Sequence, residues 1–390
     1  MVQADVWVPC ADGRTRRHVN LDYAASTPPM AGVLAIVQDF MTWYGSGDES
    51  DLGAAAYEAA GGAVAEFVGA RDGAVVLVRD AATAIDVLAA ALPGGTRVVS
   101  ALEDETLRWP HPEPAVLPAG AGAAELVERC EHALRAARSR IDLLAVTGAS
   151  GVTGEVRPLA EPAAVAHHYG AKLFVDATQL ASHRAIDMAA TGIDYLALSG
   201  ETLYAPFGSG ALVACGRGLA HEGAGRRNVV GAVALGAACR TLGEVGMECL
   251  AARERGLLAR LSAGLAGVPG VQQPLQCADR TVERIGLALF NLEGYRPPLL
   301  ASILGAEHAI GVRPGATGAV RASLGLGTTA QDVDRLVEAL AAIACNGSRR
   351  GDLDDGAHDE YQSRAEVRAL PRSPRYERAP ASASARPLRS

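Results

Sequence analysis

The chain has 390 residues, of which 49% are hydrophobic, and its formal net charge is −8. This length and apolar content are enough for a large buried core and predict a soluble protein of two domains. No cluster of Lys and Arg occurs, which argues against a nucleic-acid partner, because phosphate binding needs concentrated positive charge. The seven cysteines are scattered singly, so neither a disulfide framework nor a metal site is predicted.

The amino-terminal sequence lacks a basic segment followed by an apolar run, and no uninterrupted apolar stretch of about 20 residues occurs. We therefore expect a cytoplasmic protein without membrane association. The number of lysines bears directly on the chemistry. Lys172 is the only lysine in the chain, and all the other residues counted as Lys or Arg are arginines.

Short aliphatic runs alternate with Ala-rich helical stretches from residue 74 onward. This alternation is typical of an α/β fold with a mainly parallel central sheet that is covered by helices. Strands are predicted at residues 74–79, 97–100, 142–146, 172–176, 194–199 and 210–214. The intervening helices include predicted segments at residues 82–92 and 160–169.

A long helical zone at residues 228–265 leads to a smaller α/β region with strands predicted near 284–292 and 319–324. After residue 346 the apolar periodicity stops, and such a sequence cannot offset the entropy cost of ordering. The predicted organisation is an N-terminal segment 1–50, a large domain 51–245, a small C-terminal domain 246–346 and a disordered tail 347–390.

Six sequence blocks occur in order along the chain: LDYAASTP at 21–28, SGVTGEV at 150–156, FVDATQ at 174–179, LSGETLYAPFG at 198–208, GRRNV at 225–229 and VRASLG at 320–325. Together they resemble the class V aminotransferases and cysteine desulfurases. The resemblance implies the type I fold of transferases that depend on pyridoxal phosphate (PLP). It also implies a homodimer that binds PLP between a large and a small domain.

The resemblance implies that the Asp176 carboxylate pairs with the pyridinium nitrogen of PLP and that Gln179 lies near its phenolic oxygen. Asp176 also ends a predicted strand, where open α/β sheets collect ligands; a cap on the following helix is the alternative. Arg321 resembles the arginine that binds a substrate carboxylate through a bidentate fork, with a surface ion pair as the alternative. Further cofactor contacts are implied at Ala82, Thr83, Ser199 and Arg226.

The block that supplies the Schiff-base lysine in the family, Ser-x-His-Lys, reads SGET here, so Thr202 stands at the lysine position. A threonine hydroxyl can neither form an imine nor act as the base for an α-proton. Lys172 is a poor substitute, because it lies about 13 Å upstream of Asp176 on one predicted strand. We therefore expect the covalent chemistry of the family to be absent.

The turn that binds the phosphate of PLP in the family has also lost cofactor-binding residues. The Gly-Thr-Thr-like sequence of the family reads RDAAT at residues 79–83. Asp80 is placed to cap the helix that would otherwise bind phosphate at its N-terminus. The residue that matches a phosphate-binding threonine from the partner subunit is Arg226.

Acidic side chains replace several other family residues. Asp104 stands where the histidine that stacks on PLP is expected, Glu201 replaces the histidine before the lysine, and Gly151 replaces an asparagine. Asp104, Glu105, Asp176 and Glu201 predict an acidic pocket that repels phosphate, partly offset by Arg226; solvated loop charge is the alternative. The stretch 312–321 contains no cysteine, so sulfur transfer through a thiolate is not expected.

Three functions remain open at this point. The first is a degenerate family member that has lost catalysis and acts as a dimeric binding partner, of itself or of an active relative. The second is an enzyme that holds PLP or pyridoxamine phosphate noncovalently and uses Glu201 as a base. The third is an acidic pocket, with Asp104 and Glu201, that binds an amine or a hard cation and performs a step without PLP.

Overall fold

The computed structural model describes residues 6–43, 51–70, 72–93, 95–103, 109, 115–116, 123–216, 227–274, 282–315 and 317–346. The predicted tail at 347–390 lies outside the described residues, as do Asp104, Glu105 and Arg226.

Strands of the described residues fall into a large sheet and smaller groups. Those before the large sheet are β1 (Trp7–Pro9), β2 (Thr15–Arg17) and β3 (Val19–Asn20). The large sheet contains β4 (Ala74–Val78), β5 (Val98–Ala101), β6 (Ala115–Val116), β7 (Leu143–Thr147), β8 (Lys172–Asp176), β9 (Tyr195–Ser199) and β10 (Gly210–Ala214). The later strands are β11 (Val271–Gln272), β12 (Leu287–Leu292), β13 (Ile310–Gly311), β14 (Arg313–Pro314) and β15 (Val320–Ser323).

Helices cover both faces of the large sheet and pack on the later strands. The helices up to the end of the large sheet are α1 (Ala31–Trp43), α2 (Asp51–Phe67), α3 (Ala81–Ala91), α4 (Ala123–Ala136), α5 (Ala160–His168) and α6 (Met188–Thr191). They are followed by α7 (Val229–Val245), α8 (Met247–Ala266), α9 (Pro297–His308) and α10 (Ala330–Asn346).

The large sheet has seven strands in the order β4-β10-β9-β8-β7-β5-β6. The pairs joining β6, β5, β7, β8 and β9 are parallel, and β10 runs antiparallel to both β9 and β4. The predicted α/β fold with a mainly parallel sheet is therefore confirmed. The six predicted strands agree with the observed ones to within one residue at each end.

Alternating side chains of the strands pack on opposite faces of the sheet, as the two-residue period of a strand requires. On β7, Leu143 and Ala145 pack with α3, whereas Leu144 and Val146 belong to the larger cluster on the other face. Helices α2 and α7 contribute to that larger cluster. Because both faces are covered, the ends of the strands are the part of the sheet that can receive a ligand.

A second, four-stranded sheet has the antiparallel order β11-β12-β15-β14. Its buried side chains form a separate cluster with those of α8, α9 and α10. Val19 and Leu21 join this cluster, and β3 pairs in parallel with β13. The N-terminal strand β3 is thus integrated into the C-terminal packing, which the sequence pattern did not predict.

The helical zone predicted at 228–265 is two helices and not one. Gly246 separates α7 from α8, and its φ of 89° lies in a region that favours glycine. Within the described part of the chain, no single helix is long and apolar enough to cross a membrane. Helices α7 and α8 reach the length and apolar composition of a membrane span only when they are taken together, and the chain bends by 76° between them.

Candidate ligand site at the edge of the large sheet

The parallel strands β7, β8 and β9 end at one edge of the large sheet. Thr147 at the end of β7 lies opposite Asp176 at the end of β8, and Asp176 lies opposite Ala197 of β9. Ser199 ends β9 close to the first turn of α3, because the Ala81 amide donates a hydrogen bond to Ser199 Oγ over 2.9 Å. Asp176, Ser199 and the start of α3, all predicted site elements, therefore meet at this edge.

Asp176 is buried, and its Oδ1 accepts hydrogen bonds from the Thr178 amide at 2.9 Å and the Thr178 hydroxyl at 2.5 Å. The alternative role of Asp176 as a helix cap is wrong, because a turn and no helix follows β8. Gln179 donates from Nε2 to the Ala24 carbonyl over 2.9 Å. The amide of Gln179 thus joins the block after β8 to the opening block of the chain.

Residue 202 lies in a 3-10 turn, Gly200–Thr202, directly after β9. Thr202 is only 4% exposed, and its hydroxyl donates to the Ser199 carbonyl over 3.0 Å. The turn is tightly packed, since a Cβ added to Gly200 would lie 2.1 Å from Ser209 Oγ. The hydroxyl at the predicted lysine position is therefore bound to its own backbone.

Lys172 begins β8, at the opposite end of the strand from Asp176. Its Nζ lies 2.6 Å from Asp194 Oδ1, and His167 Nε2 lies 2.7 Å from Asp194 Oδ2. The Asp194 carboxylate raises the pKa of Lys172 through this hydrogen bond. The prediction that Lys172 lies at the wrong end of the sheet for a Schiff base near Asp176 is confirmed.

The predicted cap at the start of α3 is also confirmed. Asp80 Oδ1 accepts hydrogen bonds from the Thr83 amide at 2.8 Å and the Thr83 hydroxyl at 2.7 Å. Burial alone would raise the pKa of Asp80, but the hydrogen bonds from Thr83 and Arg79 outweigh burial and lower that pKa. Asp80 therefore carries its negative charge at the N-terminus of α3, beside the predicted contacts Ala82 and Thr83.

Glu201 adds a third carboxylate at this edge. Partial burial raises the pKa of Glu201, and the negative charge of Asp80 raises it further. The backbone carbonyl of Glu201 accepts from the Thr27 amide at 2.7 Å and from the Thr27 hydroxyl at 2.9 Å. Of the predicted acidic set, Asp176 and Glu201 lie in the described part of the chain, and Asp80 is a further carboxylate that the prediction did not include. That the set forms one pocket stays a prediction.

Arg321 lies on β15 and is mostly buried. Its Nη2 lies 3.2 Å from Asp22 Oδ1, and its Nη1 donates to the Gly151 carbonyl over 2.9 Å. Arg313 Nε lies 2.9 Å from the other oxygen of Asp22. The guanidinium that was predicted to bind a substrate carboxylate is thus paired with a carboxylate of the chain, and this pair is not on the open surface.

A buried ion pair between Glu103 and Arg157 was missed from the sequence. Glu103 follows β5, and its amide donates to Thr147 Oγ1 over 3.0 Å, which places the pair at the same edge of the sheet. The separation of 54 residues gives no local pattern that could reveal the pair. The Asp22–Arg321 pair was missed for the same reason, since its partners are 299 positions apart in the sequence.

The described residues fit only part of a PLP site. Asp176 ends β8 and Gln179 lies in the turn that follows, and the roles that the resemblance gives them toward PLP stay predictions. A covalent site does not fit, because Thr202 offers a hydroxyl bound to the Ser199 carbonyl and no amine. A phosphate does not fit the start of α3, because the Asp80 carboxylate already binds the Thr83 amide. Among the described residues, no group of three or more His, Cys, Asp or Glu side chains could hold a metal ion.

Comparison with curated proteins gives cysteine desulfurases as relatives. A probable cysteine desulfurase of Mycolicibacterium paratuberculosis is 28% identical over 350 residues, which span 76% of this chain and 50% of the relative. The cysteine desulfurase of Dickeya dadantii is 33% identical over 245 residues, which span 52% of this chain and 58% of the relative. The chain therefore spans only half to three fifths of the length of these relatives.

Solved structures show the same fold. A NifS-like protein from Rickettsia africae superposes with a TM-score of 0.72 at 19% identity, covering 84% of this chain and 99% of the other. A cysteine desulfurase from Escherichia coli superposes with a TM-score of 0.68 at 26% identity, covering 83% and 93%. The family model for aminotransferase class-V matches residues 19–220 and 220–336. The chain belongs to the aminotransferase class-V family and is cysteine desulfurase-like.

Proposed function

We propose that this chain is a non-catalytic member of its family, a cytoplasmic protein that acts as a dimeric binding partner of a second copy or of an active relative. The observation that carries the proposal is the identity, burial and hydrogen bonding of residue 202. Thr202 is buried and bound to the Ser199 carbonyl, and the lone lysine is held by Asp194 at the opposite edge of the sheet. No lysine amine is therefore available beside Asp176.

The activity for which the relatives are named, cysteine desulfuration, needs two reactive groups that this chain lacks at the corresponding positions. One is the amine at residue 202, and the other is a cysteine in the stretch 312–321. A thiolate is the nucleophile in sulfur chemistry, and neither a threonine nor an arginine can replace it. We propose that the chain does not catalyse this reaction.

A dimeric role is supported by apolar side chains on the surface. Helix α1 buries only Val33, whereas Ile36, Met41 and Trp43 are exposed, Trp43 by 73%. Phe207, in the turn after residue 202, is 75% exposed. A contiguous exposed apolar patch marks an interaction surface, and we propose that these side chains contribute to one.

The test of lost catalysis is the absorbance spectrum and the mass of the full chain after incubation with PLP and reduction with borohydride. We expect neither a Schiff-base band near the visible edge nor a stoichiometric adduct. The Lys172→Arg variant is the control, because any adventitious adduct on the lone lysine must vanish in it. A stoichiometric band in the wild-type chain, with transfer of sulfur from cysteine, would refute the proposal.

The dimer is tested separately by sedimentation of the wild-type chain and of the Trp43→Glu and Phe207→Glu variants. We expect the wild-type chain to sediment as a dimer, alone or with an active relative, and both variants to shift toward monomer. Gln38→Glu, an exposed substitution on the same helix, is the matched control for added charge. A wild-type chain that stays monomeric alone and beside such a relative would contradict this part of the proposal.

One observation favours a second function, noncovalent use of pyridoxamine phosphate with Glu201 as a base. The pKa of Glu201 is raised by burial and by Asp80, which is the direction that a carboxylate base at neutral pH requires. Pyridoxamine phosphate carries its own amine and needs no lysine. Saturable binding of this ligand, lost in Glu201→Gln, would favour the second function over the first.

A further inference from the structure

We infer that Asp80 occupies, with its own carboxylate, the anion position at the N-terminus of α3, and that it excludes phosphate-bearing ligands independently of the missing lysine. The inference deepens the proposed non-catalytic function and rests on it. It assigns the loss of phosphate binding to one residue, so that the loss can be separated by experiment from the absence of an amine.

The first amides of an α-helix have no partner within the helix and can bind an anion. In α3 two of them are bound by side chains of the protein. The Ala81 amide donates to Ser199 Oγ over 2.9 Å, and the Thr83 amide donates to Asp80 Oδ1 over 2.8 Å. The Thr83 hydroxyl donates to the same Asp80 oxygen over 2.7 Å. A phosphate at this helix end would have to displace the Asp80 carboxylate.

Charge opposes a phosphate as well. Hydrogen bonds from Thr83 and Arg79 outweigh the effect of burial and keep the pKa of Asp80 low, so that this carboxylate is ionised at neutral pH. Burial raises the pKa of Glu201, and the negative charge of Asp80 raises it further, so Glu201 adds a carboxylate whose charge also opposes a phosphate. Arg79 neutralises Asp80 only from the solvent side, since its Nε binds Oδ2 and its side chain is 67% exposed.

The backbone holds Asp80 in place. Its carbonyl accepts from the Ala84 amide over 3.0 Å, which fixes Asp80 to the first turn of α3. Strand β10 packs directly behind Asp80, since a Cβ added to Gly210 would lie 2.9 Å from the Asp80 Cα atom. The backbone of Asp80 is therefore held where its carboxylate reaches the Thr83 amide.

The inference is tested by calorimetric titration of the full-length wild-type chain, Asp80→Gly and Asp80→Asn with inorganic phosphate and with pyridoxamine phosphate. We expect Asp80→Gly to bind pyridoxamine phosphate at least about tenfold more tightly than the wild-type chain. Asparagine caps helices well and keeps the fold, so Asp80→Asn should gain less, by loss of charge alone. If neither folded variant gains affinity, Asp80 does not exclude the phosphate.

A second comparison separates this inference from the proposed function. Thr202→Lys, with Asp80 kept, should form no Schiff-base band with micromolar PLP, whereas Thr202→Lys combined with Asp80→Gly, Ala81→Thr and Ala82→Thr should form one. A band in the single variant Thr202→Lys would overturn the role of Asp80 and leave the wild-type chain non-catalytic. A Schiff-base band in the wild-type chain would overturn the proposed function itself.

Discussion

The two edges of the large sheet differ in the groups that they present. The edge where β8 ends presents the carboxylates of Asp80, Asp176 and Glu201, and the Thr202 hydroxyl there donates to the Ser199 carbonyl. At the edge where β8 begins, Lys172 is paired with Asp194. The candidate ligand edge thus presents carboxylates and no lysine, whereas the lone lysine lies at the opposite edge.

The ion pairs of the two edges differ in burial as well. Glu103 and Arg157 at the ligand edge are 9% and 4% exposed, whereas the Lys172 side chain at the other edge is 59% exposed. Burial decides how strongly the loss of one partner of an ion pair destabilises the fold. A buried charge without its partner is costly, whereas an exposed charge is hydrated by water. We therefore expect substitutions at the ligand edge to act on stability far more than those at the opposite edge.

The largest effect is expected for Arg157→Met. It leaves Glu103 as an uncompensated buried charge and should lower the free energy of unfolding by about 3 kcal/mol or more. Urea denaturation measures the change. The matched control is the double variant Glu103→Met with Arg157→Met, which removes both charges and should be less destabilised than the single variant. Equal losses in the two would mean that packing, and not the buried charge, dominates at this edge.

A smaller loss is expected for Asp80→Ala, which removes the cap of α3 and should cost about 1 kcal/mol. Asp80→Ser, which keeps a capping oxygen, should remain within a few tenths of a kcal/mol of the wild-type chain. Thermal or urea unfolding of both variants at neutral pH provides the comparison. Equal stability of Asp80→Ala and the wild-type chain would show that the cap is not a stabilising feature.

The contribution of Asp80 should depend on pH in one direction. The pKa of Asp80 is lower in the folded chain than its ordinary value of 3.8. A lowered carboxylate pKa stabilises the fold above the ordinary value, and this stabilisation is lost as the pH falls through the folded value. The stability difference between the wild-type chain and Asp80→Asn should therefore shrink below pH 3.8. A difference that grows on acidification would contradict this sign.

Lys172→Met tests the opposite edge and should change the free energy of unfolding by less than about 0.5 kcal/mol, because exposed ion pairs contribute little. Urea unfolding at low and at moderate salt is the measurement. A loss comparable to that of Arg157→Met would remove the contrast between the two edges.

The smallest effect concerns the pKa of Glu201. Asp80→Asn removes a negative charge that raises this pKa, so the pKa of Glu201 should fall in the variant. Carbon-detected NMR titration of the glutamate carboxyl groups measures it directly, with Glu201→Gln to assign the signal. An unchanged pKa would mean that Asp80 and Glu201 do not share a pocket.

The sequence predicted the large sheet well, because its strands are short aliphatic runs bounded by polar or glycine-containing turns. It also predicted that Asp176 and Lys172 lie at opposite ends of one strand, since a strand has a fixed rise per residue. The cap by Asp80 was predictable because capping is local in sequence. The Asp22–Arg321 pair was not, because its partners are 299 positions apart in the sequence and only the fold brings them together.

The break at Gly246 shows another limit of sequence reasoning. Glycine costs helix stability at any interior position, but helices tolerate it, so the residue alone did not reveal the 76° bend between α7 and α8. The packing of β3 with β13 was missed because a two-residue strand carries no detectable period. The predicted roles of Asp104 and Arg226 stay predictions, since both residues lie outside the described part of the chain.

The most direct test of the account is a calorimetric titration of the wild-type full-length chain with pyridoxamine phosphate. This ligand brings its own amine, so the result depends on the pocket and not on the missing lysine. The account predicts no saturable heat up to millimolar ligand, because the carboxylates of Asp80 and Glu201 oppose the phosphate. Stoichiometric binding at micromolar ligand would contradict it and would favour an enzyme that works without a lysine.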